Sequence, residues 1–221
     1  MNNSLHIKSF VKRSGRLTNS QKTYLKNKEK DLNFFSAERV LDYKEFFNNY
    51  NPCVLDIGFG DGKLLTSIAK KFPELNFIGI EVYESGVGNI LKQISKEELT
   101  NIKVSCHDAV IFLENFIADN SLYGLSLFFP DPWPKKKHYK RRIINEDFLN
   151  LANRKIAKNG FIKIATDWSN YSDHIIKIFD QNTNFERIND IYLYKKRCLT
   201  KFEKRGISLG HKITELSYKV K

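Results

Sequence analysis

Short apolar runs alternate along this chain with segments whose apolar residues recur at helical spacing. Runs of this kind, bounded by turn residues, are typical of buried strands. The sequence therefore predicts five strands, at residues 53–57, 76–81, 102–106, 122–129 and 161–166.

The segments between these strands have the period of amphipathic helices. One predicted helix has its apolar face at Leu64, Leu65, Ile68, Ala69 and Phe72, and Pro73 would end it. Shorter or similar patterns predict helices beginning near residue 36 and ending by 48–49, and near 85–97, 110–116, 146–157 and 175–179. Gly160 is expected to cap the helix at 146–157 in the left-handed conformation.

The order of strands and helices predicts an α/β fold. Apolar strands that alternate with helices form a mostly parallel sheet covered on both faces, and the handedness of the crossovers makes it doubly wound, in the manner of a Rossmann fold. The length of 221 residues suits one domain. We place this domain at residues 36–221 and interpret residues 1–35, which are basic and polar, as a flexible arm.

Acidic residues follow the predicted strands. Doubly wound folds bind their ligands beyond the carboxyl ends of the strands. Five carboxylates fall at or just after predicted strand ends and are expected to converge on one edge of the sheet: Asp56, Glu81, Asp108, Asp131 and Asp167.

The loop after the first strand, at residues 56–62, contains Gly58, Gly60 and Gly62 and opens a helix. Glycines in this position permit a tight turn and close approach of a nucleotide-like ligand. A dinucleotide fingerprint would have glycine at Lys63, and the loop also lacks the G-K-[ST] of a phosphate-binding loop. With Asp56 at its head, the loop favours a cationic ligand, and S-adenosylmethionine carries both a sulfonium and an ammonium.

Two later carboxylates support this interpretation. Glu81 lies near the separation at which an acidic residue binds ribose hydroxyls, and Asp108 could accept from an adenine amino group. The alternative is a purely structural one, in which the glycines form a tight turn and the acids cap helices.

A rigid turn follows the fourth predicted strand. Pro130 and Pro132 flank Asp131 and are expected to hold the preceding residues extended, so that the carboxylate projects from a stiff loop. Asp131 could orient a guanine by accepting from its Watson–Crick edge and offset the positive charge that develops when N7 is methylated. Trp133 could stack on an unstacked base. Alternatively, Trp133 packs on the core and the turn is structural.

The charge balance points to an acidic partner. Lys and Arg number 37 against 25 Asp and Glu, a net charge of +12, which favours nucleic-acid binding, the alternative being a solvated basic surface without a partner. Phosphate contacts are predicted for a basic tract that could also be only a solvated surface: Lys135, Lys136, Lys137, Lys140, Arg141 and Arg142.

Other site classes receive no support from the sequence. Cys53, Cys106 and Cys198 are too dispersed to form a disulfide framework or a zinc site, so we expect no metal and a reducing cytoplasm. No apolar run approaches the length of a membrane span, and no export signal is evident, so no membrane association is expected.

Several motifs occur together over almost the whole chain. They are the glycine loop, Gly79-Ile80-Glu81, Cys106-His107-Asp108-Ala109, residues 129–135 and 140–142, Ala165-Thr166-Asp167-Trp168, Thr200-Lys201-Phe202-Glu203, and the segments 7–13, 15–18, 205–206 and 209–211. In these motifs the chain resembles the bacterial tRNA (guanine-N7-)-methyltransferases of the TrmB family.

The resemblance implies a class I methyltransferase fold whose last strand, near residues 213–220, runs antiparallel. It implies methylation of the variable-loop guanosine of tRNA, position 46, by S-adenosylmethionine. Asp56, Gly58, Gly60, Glu81, Asp108 and Asp131 would then bind the cofactor, with Asp131 also the catalytic candidate. Lys135, Asp167, Thr200, Lys201, Phe202 and Glu203 would bind the substrate.

Two rival functions remain open on the sequence. A non-catalytic tRNA-binding protein on the same fold would not need the intact glycines and carboxylates. A small-molecule methyltransferase or dehydrogenase would leave the basic tract and the arm unused. No obligate protein partner is evident, and we expect a monomer or a homodimer.

Overall fold

The computed structural model describes residues 7–11, 17–26 and 33–221. Within these ranges one sheet of seven strands has the order β3-β2-β1-β4-β5-β7-β6. The strands are β1 (Cys53–Ile57), β2 (Asn76–Ile80), β3 (Ile102–Ser105), β4 (Leu122–Phe128), β5 (Ile156–Thr166), β6 (Phe185–Ile188) and β7 (Thr214–Val220).

Eight α-helices accompany this sheet in the described ranges. They are α1 (Asn19–Lys26), α2 (Tyr43–Phe47), α3 (Lys63–Lys71), α4 (Glu84–Glu97), α5 (Ala109–Phe116), α6 (Glu146–Lys155), α7 (Ser169–Asp180) and α8 (Lys201–Ser208), with 3₁₀ segments at Lys136–Arg141 and Tyr192–Tyr194. None of these helices is long and apolar enough to cross a membrane.

The doubly wound topology predicted from the sequence is confirmed. β1 pairs in parallel with β2 on one side and with β4 on the other, so the chain reverses its direction of winding between β1 and β4. β7 runs antiparallel to both β5 and β6, which confirms the antiparallel last strand. In such sheets the reversal point opens a crevice at the carboxyl ends of the strands, where ligands bind.

The core lies on both faces of the sheet because successive strand residues point to opposite sides. Leu55 packs with one buried cluster, which includes Phe112 of α5 and Tyr171 of α7. Its neighbour Val54 packs with the other cluster, which includes Leu65 of α3 and Ile90 of α4. Both faces are therefore covered, as the near-continuous apolar strands predicted.

The junction of α6 and β5 differs from the prediction. α6 ends at Lys155 and the next residue already belongs to β5, so Gly160 lies inside the strand and does not cap the helix. The pairing register of β4 with β5 shifts between Leu122 and Gly124, and Asn159 has the left-handed φ of 66°. Asn159 and Gly160, which had suggested a helix end, therefore lie at an irregularity within β5.

Two further elements were not predicted correctly. The helical pattern beginning at residue 36 reduces to α2, which Asp42 caps by accepting from the backbone N–H groups of Lys44 and Glu45. β6 was missed because it is a short edge strand in which only Phe185 is buried, and such a strand has little hydrophobic alternation.

Parts of the basic arm pack on the domain, while residues 1–6, 12–16 and 27–32 lie outside the described residues. In α1, the Gln21 side chain donates to the Ser85 carbonyl and to Asn89 Oδ1 of α4, both at 3.2 Å. Phe35 N donates to the Val104 carbonyl of β3 at 3.1 Å. The flexibility of the whole arm stays a prediction.

The glycine loop supplies a test of the fold. Gly62 has a φ of 81°, and a Cβ added there would lie 2.6 Å from Ile90 Cβ, whereas one at Gly58, with a φ of 74°, would have no atom within 4 Å. We expect Gly58→Ala to cost about 1–2 kcal/mol of unfolding free energy from backbone strain alone. Gly62→Ala should cost about 1–3 kcal/mol more from overpacking.

Urea unfolding of the two variants and the parent measures this difference. Gly58→Ala is the matched control, because it changes the same residue type in the same loop and conformation. Equal losses in the two variants would contradict the packing of Gly62 against α4.

Candidate active site

A cavity of about 350 Å³ opens at the carboxyl ends of β1, β2 and β4, where the winding reverses. A volume of this size is in the range of small-molecule sites. Its walls come from the glycine loop, the end of β2, the loop after β3, the proline turn, the start of α8 and the N-terminal segment, including Gly58, Gly60, Glu81, His107, Asp131, Lys201, Phe202, Ser9 and Phe10.

Glu81 holds the glycine loop in place. Its carboxylate accepts from Gly60 N at 2.9 Å, from Val82 N at 2.7 Å and from Tyr83 N at 3.1 Å. The side chain belongs to a residue only 6% exposed. Burial raises the pKa of the Glu81 carboxyl, against the opposing effect of these hydrogen bonds, and the Asp131 carboxylate raises it further. Glu81 and Asp131 therefore face the same cavity closely enough to repel each other.

The turn that carries Asp131 has an unusual backbone. Phe129 N donates to the Ala165 carbonyl at 2.8 Å, which continues the pairing of β4 with β5 by one residue. Phe129 then has a φ of 56° and Trp133 a φ of 45°, so the extended conformation predicted before Pro130 is wrong. Left-handed aromatic residues are strained and persist only where surrounding contacts impose them. Together they turn the chain across the end of the sheet and place Asp131 at the cavity.

Trp133 connects this turn to the N-terminal segment. Its indole Nε1 donates to the Ser9 carbonyl at 2.9 Å, and Ser9 and Phe10 line the cavity. The guanidinium of Arg141 lies 4.9 Å from the centre of the indole ring. The indole therefore holds the segment that forms one wall of the cavity, a role that the sequence did not predict. Stacking of Trp133 on a base stays a prediction.

The residues of the basic tract differ in their exposure to solvent. Lys135, Lys136, Lys137 and Lys140 are exposed, as a phosphate-binding surface requires. Arg142 is 1% exposed, and the prediction that it contacts phosphates is wrong. It donates to the Pro132 carbonyl at 2.9 Å and to Asn170 Oδ1 at 2.7 Å, and it lies over the rings of Tyr139 and Tyr171. Arg142 thus links the proline turn, through the Pro132 carbonyl, to Asn170 of α7.

Asp56 lies beneath the main cavity. It belongs to β1, is 5% exposed and accepts from Ser126 Oγ at 2.5 Å. With Gly58, Gly60 and Thr200 it lines a second, smaller cavity of about 50 Å³. Burial raises the pKa of the Asp56 carboxyl to about 7, although the Ser126 hydrogen bond opposes the shift.

Two of the five predicted strand-end carboxylates have mainly structural contacts. Asp108 caps α5 by accepting from Val110 N at 2.9 Å and Ile111 N at 3.3 Å. Asp167 accepts from His211 Nδ1 at 3.0 Å beyond the end of α8. Neither is among the residues that line the main cavity. The five acids share one edge of the sheet, but only Glu81 and Asp131 among them face the main cavity.

The motif at the start of α8 also divides into two kinds of residue. Thr200 and Glu203 form the predicted capping box, which is confirmed. Lys201 and Phe202 line the main cavity, and Phe202 is 55% exposed. A methyl group on Gly60 would lie 3.9 Å from the Phe202 ring, so this ring covers the glycine loop.

An ionic network that is buried at Arg197, Glu203 and Lys163 anchors α8 and was not foreseen from the sequence. Arg197 pairs with Glu203 and with Glu215 of β7, each at 2.5 Å. Glu215 also pairs at 2.7 Å with Lys163 of β5, which is 2% exposed. These residues are dispersed along the chain, and no local pattern links them. The network ties the first turn of α8, and with it Lys201 and Phe202, to the sheet.

No group of three or more His, Cys, Asp and Glu side chains suited to a metal ion occurs among residues 7–11, 17–26 and 33–221.

Comparison with known proteins shows which family the chain resembles. A protein-family model described as "Putative methyltransferase" matches residues 50–216. The tRNA (guanine-N(7)-)-methyltransferase of Vibrio vulnificus strain YJ016 is 44% identical over 218 residues, 96% of this chain and 91% of that protein. The protein of the same name from Mannheimia succiniciproducens is 41% identical over 216 residues, 96% of this chain and 87% of that protein.

A solved structure also shares the fold. The 16S rRNA methyltransferase KamB superposes with a TM-score of 0.59 at 13% identity, covering 84% of this chain and 96% of that one. At this identity the likeness concerns the fold alone. It confirms the expected class I methyltransferase architecture.

The buried Asp56 predicts a pH-dependent stability. The free carboxyl ionises near pH 3.8, whereas the folded protein retains the proton until about pH 7. Between these values the folded state binds more protons than the unfolded state, so the unfolding free energy falls as the pH rises. We compare the unfolding free energy of Asp56→Asn with that of the parent at two pH values. The difference, variant minus parent, should be about 2 kcal/mol larger at pH 8 than at pH 5.

Urea unfolding at the two pH values measures the effect. Ser126→Ala is the companion variant, because it removes a hydrogen bond to the ionised carboxylate and should deepen the loss at pH 8. If the parent and Asp56→Asn differ in unfolding free energy by the same amount at both pH values, the raised pKa of Asp56 is contradicted.

Proposed function

The chain belongs to the family of the tRNA (guanine-N(7)-)-methyltransferases, and we propose that it methylates N7 of a guanosine in tRNA with S-adenosylmethionine as donor. The observation that carries the proposal is the juxtaposition of the main cavity, faced by Glu81 and Asp131, with the exposed lysines of the basic tract. We further propose the variable-loop guanosine, position 46, as the target, as the motifs shared with the TrmB family imply.

The main cavity fits the donor by charge and backbone. Glu81 and Asp131 repel each other across it, so a cationic ligand between them would be stabilised. Gly58 and Gly60, both with positive φ, allow close approach of a nucleotide-like group. We propose that these four residues hold the donor and that Asp56 supports the loop from beneath. When bound, S-adenosylmethionine supplies an activated methyl group, which passes to N7 while the carbon–sulfur bond breaks.

Asp131 is the proposed catalytic residue. N7 of guanine carries a lone pair and no proton, so the reaction requires alignment rather than a base. From the strained turn, the Asp131 carboxylate would accept hydrogen bonds from the Watson–Crick edge of the guanine. Its negative charge would offset the positive charge that develops on the ring. Phe202, which covers the glycine loop, would exclude water from the same region.

The exposed lysines beside the turn are the proposed tRNA surface. The exposed residues Lys135, Lys136, Lys137 and Lys140 follow the turn that carries Asp131, so phosphates bound there would bring a nucleotide to the cavity. Lys201 adds a cation to the wall of the cavity. Asp167, Thr200 and Glu203 would support substrate binding by positioning α8. Binding through phosphates is sensitive to salt, which gives this part of the proposal its own test.

The proposed setting is the cytoplasm, because Cys53, Cys106 and Cys198 are free thiols and the substrate is tRNA. We propose that the protein acts without an obligate protein partner, as a monomer or a homodimer.

A labelling experiment tests the function. The protein is mixed with S-adenosylmethionine labelled in its methyl group and with unmodified tRNA, and the digested RNA is analysed for N7-methylguanosine. A tRNA with adenosine at position 46 is the matched control and should remain unlabelled. Absence of label in N7-methylguanosine would overturn the proposal and favour a non-catalytic tRNA-binding protein. Equal labelling of the control tRNA would overturn only the position.

Removal of the Asp131 side chain should separate catalysis from binding. We expect Asp131→Ala to lower kcat by about 10²- to 10³-fold, as is typical when a group that stabilises transition-state charge is lost, while the Kd for tRNA changes less than about 2-fold. Asp131→Asn keeps a hydrogen-bond acceptor and loses the charge, so its kcat should lie between that of the parent and that of Asp131→Ala.

Single-turnover methylation and a tRNA-binding titration give the two quantities. Asp147→Ala, an exposed carboxylate on α6, is the control and should match the parent in both. A loss of tRNA affinity as large as the loss of kcat would show that Asp131 contributes to overall tRNA binding and not only to catalysis at the reacting base.

Removal of one lysine should alter the salt dependence of binding. We expect Lys137→Ala to reduce the slope of log K against log salt concentration by about 0.7–1, because one phosphate contact is lost. Lys158→Ala is the matched control, since Lys158 is exposed at the opposite end of β5 and should leave the slope unchanged. An unchanged slope for Lys137→Ala would show that this lysine contacts no phosphate.

A further inference from the structure

The chain folds back on itself at the end of α8. Gly210 has a φ of 76°, and its N–H donates to the Ile207 carbonyl at 3.0 Å, while the N–H of His211 donates to the Gly206 carbonyl at 2.9 Å. These two hydrogen bonds form a Schellman motif, which ends a helix and satisfies its last carbonyls. The motif brings His211 back beside the turn of α8 that contains Gly206.

The carboxylate of Asp167 lies against this turn. A Cβ added to Gly206 would lie 2.8 Å from Asp167 Oδ2 and 3.0 Å from Asp167 Cβ, so the absence of a side chain at residue 206 permits the close approach. His211 Nδ1 lies 3.0 Å from the same Oδ2. An ionised carboxylate can only accept, so His211 donates this hydrogen bond. Gly206 and His211 together hold one oxygen of Asp167.

The two oxygens of Asp167 have different surroundings. Oδ2 faces Gly206 and His211, whereas in the part of the chain that the structure describes no group donates a hydrogen bond to Oδ1. The side chains of Asp167 and His211 are 26% and 34% exposed, so this pair reaches solvent. Asp167 can therefore support α8 through one oxygen and accept from a ligand through the other.

The pair lies beside the main cavity. Phe202 is part of the cavity wall, and Gly206 follows it by four residues, so the two occupy the same face of α8 about 6 Å apart along the helix axis. Asp167 thus lies about one helical turn beyond the cavity wall. A tRNA whose guanosine enters the cavity would place adjacent parts of the RNA against this surface.

A carboxylate on an RNA-binding surface requires a defined orientation. It repels phosphates, which carry charge of the same sign, and it accepts hydrogen bonds from ribose 2′-hydroxyls and from the amino groups of bases. The effect of Asp167 on tRNA binding therefore depends on which of these groups it faces. A partly exposed side chain keeps its rotamer freedom unless another group restrains it, and the hydrogen bond from His211 is such a restraint.

We propose that His211 is a positioning residue for tRNA binding, which acts by holding the Asp167 carboxylate so that its Oδ1 accepts from a hydroxyl or amino group of the RNA. The inference rests on the proposed function for the identity of the partner. It assigns the tRNA a second contact surface, distinct in chemistry from the lysines that would bind phosphates.

Two substitutions at His211 separate the hydrogen bond from the ring. His211→Phe removes the donor and keeps an aromatic ring beside Trp168, whose ring centre lies 6.3 Å from that of His211. His211→Asn keeps a donor in the region of Nδ1. We expect the Kd for tRNA, measured without methyl donor, to rise about 3- to 10-fold in His211→Phe and to remain within about 2-fold of the parent in His211→Asn. Equal Kd values in His211→Phe and the parent would overturn the inference.

His174→Phe is the matched control. His174 is half-buried on α7, and its Nε2 lies 3.2 Å from the Ile144 carbonyl oxygen, so the same substitution there should leave the Kd for tRNA unchanged. The Kd for S-adenosylhomocysteine is measured for every variant and should also stay unchanged, because Asp167 and His211 do not line the main cavity. A rise in this Kd as large as the rise for tRNA would overturn the assignment of His211 to tRNA binding.

A double-mutant cycle shows whether His211 acts through Asp167. Asp167→Ala should raise the Kd for tRNA about 3- to 10-fold by itself. Adding His211→Phe to Asp167→Ala should change the Kd by less than about 2-fold, because no carboxylate remains to be positioned. Effects of the two substitutions that multiply would overturn the inference.

Gly206→Ala displaces the carboxylate while both members of the pair remain. The backbone of residue 206 is helical, and alanine is favoured over glycine in a helix, so this variant is expected to fold. The Kd for tRNA should again rise about 3- to 10-fold. An unchanged Kd would show that tRNA binding does not depend on the placement of Asp167.

The binding measurements also separate this inference from the proposed function. A protein that shows these effects on tRNA binding but forms no N7-methylguanosine supports the role of His211 and defeats the proposed reaction. A protein that methylates tRNA but shows none of the effects retains the proposed function and defeats the inference. Absence of tRNA binding in the parent would overturn both.

Discussion

The carboxylate of Glu81 is the constraint on which the main cavity depends. It accepts from three backbone N–H groups, one in the glycine loop and two just after β2, and so joins these two segments. Burial of an acid is costly, and these hydrogen bonds offset part of that cost. The remaining cost is visible in the raised pKa of Glu81, to which Asp131 contributes. Glu81 and Asp131 thus place two carboxylates in the wall of the main cavity, where a cation would be stabilised.

The parts of the fold that the sequence predicted correctly are those encoded by neighbouring residues. The first five strands, the glycine loop after β1 and the capping box of Thr200 and Glu203 each depend on a local pattern. Arg142 shows where such patterns fail. Its burial depends on Asn170 and Tyr171, which come from α7, and an arginine within a lysine-rich tract gives no sign of those partners. β6 was missed for the related reason that its place is fixed by pairing with β7, rather than by its own composition.

The candidate site shows the same division within a single motif. Thr200 and Glu203 hold the backbone at the start of α8, and the neighbouring Lys201 and Phe202 face the cavity. Sequence resemblance groups all four as substrate residues and cannot separate these contributions. The distinction depends on Arg197, whose pairs with Glu203 and Glu215 are set by the distant β7. Removal of one partner of the buried Arg197–Glu203 pair would be strongly destabilising. The placement of Lys201 and Phe202 at the cavity therefore depends on this pair.

The N-terminal segment contacts the domain at two separate places, of which one borders the main cavity. Ser9 is held by Trp133 of the proline turn, and Phe35 meets Ser105 at the end of β3. Composition separates a basic arm from the domain near residue 35, whereas these contacts join the two. Because Trp133 belongs to the turn that carries Asp131, displacement of residues 9–11 would remove a cavity wall and loosen that turn together. The N-terminal segment is therefore joined to the domain through the indole of Trp133 and the hydroxyl of Ser105, and the first of these contacts also supports the cavity wall.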